Sequence, residues 1–343
     1  MAAGDWVTVG IDNGGTANNG TVLDAGGRFL VDTLTELPSL VREGPDKAIQ
    51  ALVDTFEKVL SMTGVSRGQV RAIGLDTPGP ASATGVLATG GATNFGHPAW
   101  DRFDIRSALE DRLGIPVVYN NDGNAATLYA HYVRYGAESE QRSSISAIIG
   151  TGFGAGVVAG GRIVTGAAGF AGELGHMPIP MAGLLELGQP NPSCNCGLLA
   201  DAESVASLTA IKRNLLPYWL TRYPDHELAA SPVETGAKLV RGYAERGDAM
   251  ALEIFRQQAV AIGRVFSIAA KFTDPDTYFL GGGVIEAEPH FRDWFLGVVK
   301  ENTDFYPEQA VLAEITLVPD LDMAGARGSA IAAAGWVRDN LKY

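Results

Sequence analysis

The chain has 343 residues, and this length predicts two domains at about 150 residues each. Hydrophobic residues make up 46% and charged residues 19%, a globular balance that excludes a disordered or fibrous chain. The formal net charge of −13 argues against a nucleic-acid partner, because an acidic chain is repelled by phosphate backbones. The two cysteines, Cys194 and Cys196, are too few for a disulfide framework.

No segment of the sequence predicts export or membrane insertion. The first nine residues lack the basic and apolar regions of a signal peptide. Residues 143–161 are uncharged and long enough to span a bilayer, but glycine recurs at every second position from 150 to 156. That pattern indicates strand and turn. We therefore expect a cytoplasmic protein that does not contact a membrane.

The predicted elements begin with a strand at residues 6–11, which a polar, glycine-rich turn at residues 12–16 follows. Strands at 21–23 and 29–31 complete this first arrangement. Further strands are predicted at 70–75, 115–119, 278–280 and 314–318, and helices at 45–62, 105–113, 121–133, 203–215, 233–245, 249–272, 291–301 and 325–340. Alternation of strands and helices indicates an α/β chain, and residues 177–193 have the composition of a long loop.

The first arrangement recurs about 135 residues later. A strand at 144–149, a glycine-rich turn at 150–154 and short strands at 157–158 and 162–164 follow one another in the same order. We interpret this as a duplicated β-turn-β-turn-β unit, one copy in each domain. Chance similarity between glycine-rich hairpins is the alternative.

Three glycine-rich segments are candidates for phosphate binding. In the turn at residues 12–16, which we call the phosphate turn, glycines would let a phosphate approach backbone N–H groups. Thr16 can donate a hydroxyl hydrogen bond, and Asp12 can accept one from a metal's water shell. A plain hairpin turn has the same composition. Residues 150–154, which we call the glycine loop, lack the following helix of a dinucleotide-binding fingerprint. Residues 281–283 are suited to cradle an adenosine or ribose face.

Two further motifs carry side chains with chemical capacity. Asp122 lies where a strand ends and a helix begins, so it can cap the helix or accept a proton from a substrate hydroxyl. His176, Cys194 and Cys196, with an acid nearby, are residue types that bind zinc. Two unligated cysteines beside a structural histidine are the alternative.

At these residues the chain resembles the ROK family of sugar kinases and sugar-responsive repressors. The shared motifs are the phosphate turn, Asp122 in Asn-Asp-x-Asn-x-Ala, the loop at 150–156, the run from Glu173 to His176, and Cys-x-Cys-Gly at 194–197. The resemblance implies the two-domain actin-like ATPase (ribonuclease H-like) α/β fold with an interdomain cleft. The expected domains are residues 1–121 with the C-terminal helix at about 325–343, and residues 122–324.

The resemblance also implies an ATP-dependent kinase that phosphorylates a hexose, most simply glucose on its C6 hydroxyl. Asp122 would be the general base, and Mg²⁺ would offset the charge of the phosphates. The implied sugar-binding residues are Asn94, Asn121, Asp122, Glu173, His176 and Glu203. The implied nucleotide-binding residues are Asp12, Gly14, Gly15, Thr16, Gly150, Thr151, Gly152, Gly154, Gly281, Gly282 and Gly283. The family also implies a homodimer.

The chain departs from the family pattern in the cysteine run. The usual run is Cys-x-Cys-Gly-x-x-Gly-Cys-x-Glu, and here Ala200 replaces the second glycine and Asp201 the last cysteine. A structural zinc ion held by His176, Cys194, Cys196 and Asp201 is one expectation, because carboxylate oxygen is an accepted zinc ligand. The alternative is that Asp201 only caps the following helix. In addition, Ala17 stands where many family members carry lysine.

Two other functions are kept open beside glucose phosphorylation. One is phosphorylation of a modified sugar such as N-acetylmannosamine, an amino-hexose such as kanosamine, or a cyclitol. The other is a non-catalytic, sugar-sensing regulator. Family repressors carry an N-terminal DNA-binding domain, and the phosphate turn at residue 12 leaves no room for one here. Polyphosphate or another nucleotide is an alternative phosphate donor.

Overall fold

A computed structural model describes residues 6–78, 82, 84–87, 95–319 and 322–341. The chain forms two compact units. The first consists of Met1–Arg142, Gly156–Gly172 and Pro319–Tyr343, and the second of Ser143–Ala155 and Glu173–Val318. The domain boundary placed at residue 121 in the sequence analysis stays a prediction.

The first sheet has five strands in the order β3-β2-β1-β4-β5. Strand β1 pairs antiparallel with β2 and parallel with β4, and β4 pairs parallel with β5. The strands are β1 (Val7–Asn13), β2 (Ala17–Asp24), β3 (Leu37–Pro38), β4 (Val70–Thr77) and β5 (Val117–Asn121). The helices that contact this sheet are α1 (Pro45–Thr63), α2 (Ile105–Leu113), α3 (Asp122–Tyr135) and α10 (Ala324–Asn340).

Two packing modes position the first sheet. Apolar side chains of α1 and α2, among them Phe56 and Leu109, are fully buried in a core with Ile73 and Leu75 of β4. Helix α10 instead lies directly on the backbone of β1 and β4. A β-carbon at Gly10 would lie 1.9 Å from the carbonyl oxygen of Ala326. Glycine in the strands therefore permits a close approach that places the start of α10 beside Asp12.

The second sheet also has five strands, in the order β10-β9-β6-β7-β8. Its strands are β6 (Ser144–Ile149), β7 (Phe153–Ala159), β8 (Arg162–Ile163), β9 (Thr277–Gly282) and β10 (Glu314–Leu317). The two sheets have the same order. The central strand is β1 in one and β6 in the other, with the next two strands of the chain on one side and the two later strands on the other. Parallel pairing of the first with the fourth strand also recurs, as β1 with β4 and β6 with β9. The shared strand order agrees with the predicted duplication, but the third strand of the first copy is Leu37–Pro38 and not residues 29–31. That each domain holds one copy stays a prediction.

The second unit contains the longest helix among the described residues, α7 (Ala249–Phe272). Its other α-helices are α4 (Leu208–Ala210), α5 (Leu216–Arg222), α6 (Val233–Glu245), α8 (Pro289–Glu301) and α9 (Pro307–Leu312). A π-helical turn, Ile211–Leu215, joins α4 to α5. In the described ranges no helix combines the length and apolar character needed to cross a lipid bilayer. The uncharged stretch at 143–161 forms β6 and β7, as its alternating glycines predicted.

Two predicted elements differ from the structure, and two observed elements were not predicted. The strand at residues 29–31 is reduced to a single bridge between Leu23 and Phe29. The helix predicted from residue 203 begins at Leu208, because Ser207 caps it by accepting a hydrogen bond from the Ala210 amide. Helix α9 and the two-residue strand β3 were not predicted, since both are too short for a periodic pattern.

Candidate active site

Three acidic residues stand at the carboxyl edge of the first sheet. Asp12 is near the end of β1 and is the register partner of Asp76 near the end of β4. Asp122 directly follows β5. Because parallel strands end at the same edge, the three side chains interact electrostatically. Asp76 was missed by the sequence analysis, and its only signal was a carboxylate at the end of an apolar strand.

Burial changes the protonation of the pair formed by Asp12 and Asp76. Desolvation raises the pKa of Asp12 to about 6; a hydrogen bond with Asp76 lowers it and the charge of Asp122 raises it. Desolvation, together with the charges of Asp12 and Asp122, also raises the pKa of Asp76 well above its ordinary value. Ser329 of α10 donates a hydrogen bond of 2.9 Å to Oδ2 of Asp76. The edge is thus built to carry a shared proton, or a cation, between the carboxylates.

Asn121, not Asp122, caps helix α3. The Asn121 side chain accepts a 2.7 Å hydrogen bond from the amide of Asn124. Asp122 is the first residue of the helix, its side chain is exposed, and Oδ1 accepts from the Gly123 amide at 2.8 Å. Desolvation by the surrounding protein raises the pKa of Asp122, although backbone hydrogen bonds oppose the shift. The capping alternative for Asp122 therefore does not apply, and its exposed carboxylate is accessible to a substrate hydroxyl.

The phosphate turn is tight and internally bonded. The Gly14 amide donates to the Ala17 carbonyl at 3.0 Å, and a β-carbon at Gly14 would lie 2.7 Å from that oxygen. Behind the turn, the buried Asn13 side chain donates to Oδ1 of Asn18 at 2.6 Å. Thr16 is exposed, so its hydroxyl is free to meet a ligand. The turn therefore exposes small groups, while its own hydrogen bonds hold its backbone in place.

In the second unit, the glycine loop borders a cavity of about 320 Å³. Gly150, Thr151 and Gly283 line this cavity, whereas Gly152, Gly154, Gly281 and Gly282 do not. The other lining residues, which the sequence analysis missed, are Ile149, Leu208, Ile211, Ala237, Lys238, Arg241, Phe255, Gln258, Val284, Phe291 and Phe295. The guanidinium group of Arg241 donates to the Gly283 carbonyl at 2.8 Å, and this bond holds the Gly283 side of the cavity in place. An apolar cavity with two cations at its wall suits an aromatic base that carries phosphates.

The second unit also contains the predicted sugar-binding residues Glu173, His176 and Glu203. Glu173 precedes the 3-10 turn Leu174–His176. The Glu203 amide donates to the Gly175 carbonyl at 2.7 Å, which brings the three residues into one group. Oε2 of Glu203 accepts from the Phe153 amide at 2.8 Å. The predicted residue Asn94 lies outside the described residues.

Four potential metal ligands form one group, which we call the cysteine–histidine cluster: His176, Cys194, Cys196 and Asp201. Their potential ligand atoms all lie within 4.8 Å of one another. Oδ2 of Asp201 is 3.2 Å from Nδ1 of His176 and 3.4 Å from Sγ of Cys196. The hydrogen bond to Asp201 raises the pKa of His176 against the effect of burial. A set of two sulfurs, one imidazole nitrogen and one carboxylate oxygen fits zinc.

Asp201 also caps the chain that follows it. Its Oδ1 accepts from the Ser204 amide at 2.8 Å, while Oδ2 faces the histidine and cysteines. The helix-cap alternative for Asp201 is wrong, because helix α4 begins at Leu208 and is capped by Ser207. Asp201 instead caps the turn that contains Ser204. Ala200, which replaces the family's glycine, has a φ of 60°, in the left-handed region that favours glycine.

Comparison with known proteins identifies the family. The model described as "ROK family" matches residues 8–335. The chain belongs to the ROK family. It is 31% identical over 335 residues to a glucokinase of Halalkalibacterium halodurans, covering 96% of this chain and 94% of that one. The predicted family membership is confirmed.

Solved structures of ROK-family proteins share the fold. A ROK hexokinase from Thermus thermophilus matches with a TM-score of 0.77 and 29% identity, over 97% of this chain and all (100%) of the other. A glucokinase from Streptomyces griseus, in complex with glucose and AMPPNP, matches with a TM-score of 0.64 and 24% identity, over 96% and 99%. The predicted actin-like α/β fold class is confirmed.

Proposed function

We propose that this ROK-family chain is an ATP-dependent hexose kinase with Asp122 as the general base. The observation that carries the assignment is the capping of α3 by Asn121, which leaves the Asp122 carboxylate exposed at the carboxyl edge of the sheet. A raised pKa makes this carboxylate a better proton acceptor than an ordinary aspartate. The glucokinase and hexokinase relatives support a carbohydrate kinase.

The proposed reaction joins a sugar hydroxyl to the γ-phosphorus of ATP. The hydroxyl oxygen forms the new P–O bond, the bond from γ-phosphorus to the β,γ-bridging oxygen breaks, and ADP leaves. Asp122 takes the hydroxyl proton, so the attacking oxygen develops no isolated charge. Such a transfer is accelerated chiefly by positioning and electrostatics. The C6 hydroxyl of glucose is the first candidate acceptor.

The nucleotide assignment rests on the second unit. Phe255, Phe291 and Phe295 give the cavity an aromatic and apolar wall suited to adenine, and Lys238 and Arg241 supply positive charge. The glycine loop at the same cavity would bind the phosphates through backbone N–H groups. In the first unit, Asp12 and Asp76 supply the oxygen ligands that Mg²⁺ prefers. Mg²⁺ held by these carboxylates would supply the positive charge that a phosphoryl transfer needs.

We also propose a structural zinc ion at the cluster of His176, Cys194, Cys196 and Asp201. The ion would hold the loop at residues 177–193 and orient His176 and Glu203 toward the sugar. Metal analysis of protein purified without chelator tests this, with about one zinc per chain expected. Full activity with far less than one zinc would leave Asp201 only as the cap of the turn that contains Ser204.

A screen of ADP release tests the kinase assignment directly. Purified protein is given ATP and Mg²⁺ with a panel of glucose, mannose, N-acetylmannosamine, amino-hexoses and cyclitols. Sugar-dependent ADP release, strongest with glucose, is the expected result. Release with a modified sugar alone would correct the substrate, and sugar binding without ADP release from any donor, polyphosphate included, would indicate a regulator instead.

A further inference from the structure

The segment at residues 203–209 holds the glycine loop by several hydrogen bonds. The amide of Leu208 donates to the Gly150 carbonyl at 2.9 Å. Thr209 donates twice to the Thr151 carbonyl, from its amide at 3.1 Å and its hydroxyl at 2.7 Å. These bonds fix the carbonyl groups of Gly150 and Thr151, and the Gly150 amide donates to the Gly152 carbonyl within the loop at 3.0 Å.

Glu203 also contacts the loop, through its side chain. Its Oε2 accepts from the Phe153 amide at 2.8 Å, immediately after the loop's central glycine. A β-carbon at Gly152 would lie 2.7 Å from the same oxygen, so the carboxylate and the loop backbone are in close contact. A hydrogen bond from an amide to a carboxylate is charge-assisted, and it is about twice as strong as one to a neutral acceptor.

The other carboxylate oxygen of Glu203 faces the cysteine–histidine cluster. Sγ of Cys194, which is buried, lies 3.4 Å from Oε1. The Glu203 backbone is fixed as well, because its amide donates to Gly175, the residue before His176. One half-buried side chain therefore contacts both the loop and the cluster.

We propose that Glu203 is a positioning residue, which orders the glycine loop for the nucleotide and connects that loop to the cysteine–histidine cluster. This role is separate from the sugar contact that the family resemblance implies for Glu203. It rests on the proposed function, because the loop is taken to bind nucleotide phosphates. A loop ordered before binding loses less entropy when the phosphates arrive, so the bond to Phe153 strengthens nucleotide binding.

Calorimetry with a non-hydrolysable ATP analogue and Mg²⁺, without sugar, tests the proposal. Glu203→Ala is expected to weaken nucleotide binding about tenfold or more, the effect of one lost charge-assisted hydrogen bond. Glu203→Gln keeps an oxygen acceptor for the Phe153 amide and should recover most of the affinity. Glu253→Ala is the matched control, since Glu253 lies in the same unit and contacts Arg256 instead.

Hydrogen exchange of the Phe153 amide in ligand-free protein provides a second readout. Exchange should be faster in Glu203→Ala and close to the parent rate in Glu203→Gln. If Glu203→Ala does not fold, Gly152→Ala tests the same contact, because its new β-carbon would displace Oε2 and speed the exchange. Unchanged exchange in whichever of these two variants is measured would overturn the proposal.

The results distinguish a failure of the positioning role from a failure of the proposed function. Parent-like nucleotide affinity in Glu203→Ala, with weaker sugar binding, would make Glu203 a sugar contact only and overturn the positioning role. A parent protein that binds no nucleotide would contradict the proposed function itself.

Discussion

Among single residues, Ala200 has a strained backbone conformation. Its φ of 60° lies in the left-handed region, which costs a non-glycine residue about 1–2 kcal/mol. The strain is retained because the Ala200 amide and carbonyl both bond to neighbouring loop segments, at Pro192 and Ile179. The turn that places Asp201 in the cluster therefore forms in spite of the strain at Ala200.

We predict that Ala200→Gly stabilises the protein. Relief of the left-handed strain, less the greater chain entropy of unfolded glycine, should raise the free energy of unfolding by about 0.5–1 kcal/mol. Chemical denaturation of parent and variant measures the difference. Ala202→Gly is the control: Ala202 is buried and lies outside the left-handed region, so this variant should lose stability. Destabilisation by Ala200→Gly would contradict the account of the turn.

Asp12 gives a prediction for pH dependence. Its pKa is about 6 in the folded protein and 3.8 ordinarily, so the unfolded chain releases this proton first as pH rises. Folding stability therefore falls between about pH 4 and pH 6 and stays lower above that range. Asp12→Asn, without metal or nucleotide, should gain about 1–3 kcal/mol at pH 8 and nothing at pH 4. Equal differences at both pH values would show that the carboxylate is not desolvated.

At the scale of elements, helix α10 requires glycine in the strands beneath it. A β-carbon at Gly74 would lie 1.9 Å from the carbonyl oxygen of Ser329, and backbone atoms on both sides cannot yield without moving the helix. Ser329 also bonds Asp76, so the packing of α10 fixes the carboxyl edge as well as the core. The same close approach recurs at Gly328, which meets the Ala125 carbonyl of α3.

Gly74→Ala should accordingly cost about 3 kcal/mol of unfolding free energy or more, beyond ordinary overpacking. Gly297→Ala is a matched control, because Gly297 lies within α8 with open space around its α-carbon. That variant should gain about 0.5–1 kcal/mol from helix propensity. Thermal or chemical unfolding compares the two, and a stable Gly74→Ala protein would refute the packing described for α10.

At the scale of the whole molecule, local signals in the sequence predicted most of the fold. Helices α2, α6 and α7 have the predicted bounds, since apolar periodicity marks α6 and α7 and Gly114 ends α2. The duplicated strand order was also predictable, because both copies carry glycine-rich turns at matching places. The start of α4 was not predictable in this way. Ser207 caps the helix, so the apolar residues before Ser207 lie outside it.

The sites were less predictable than the fold, for a physical reason. Adjacent residues such as Asn121 and Asp122 offer the same capping chemistry, and only the structure shows which one caps α3. Asp76 and the cavity lining come from elements far apart in sequence, so no local pattern marks them. The contact of Glu203 with Phe153 likewise joins residues that are fifty positions apart.

The rate of phosphoryl transfer by Asp122→Asn tests whether Asp122 accepts the proton of the acceptor hydroxyl. Asparagine keeps the size of the side chain but cannot take the proton. With the sugar identified by the ADP-release screen, the rate should fall about 10²–10⁴-fold. Sugar affinity and the unfolding temperature should stay at the parent values. A variant that transfers phosphate at close to the parent rate would contradict the claim.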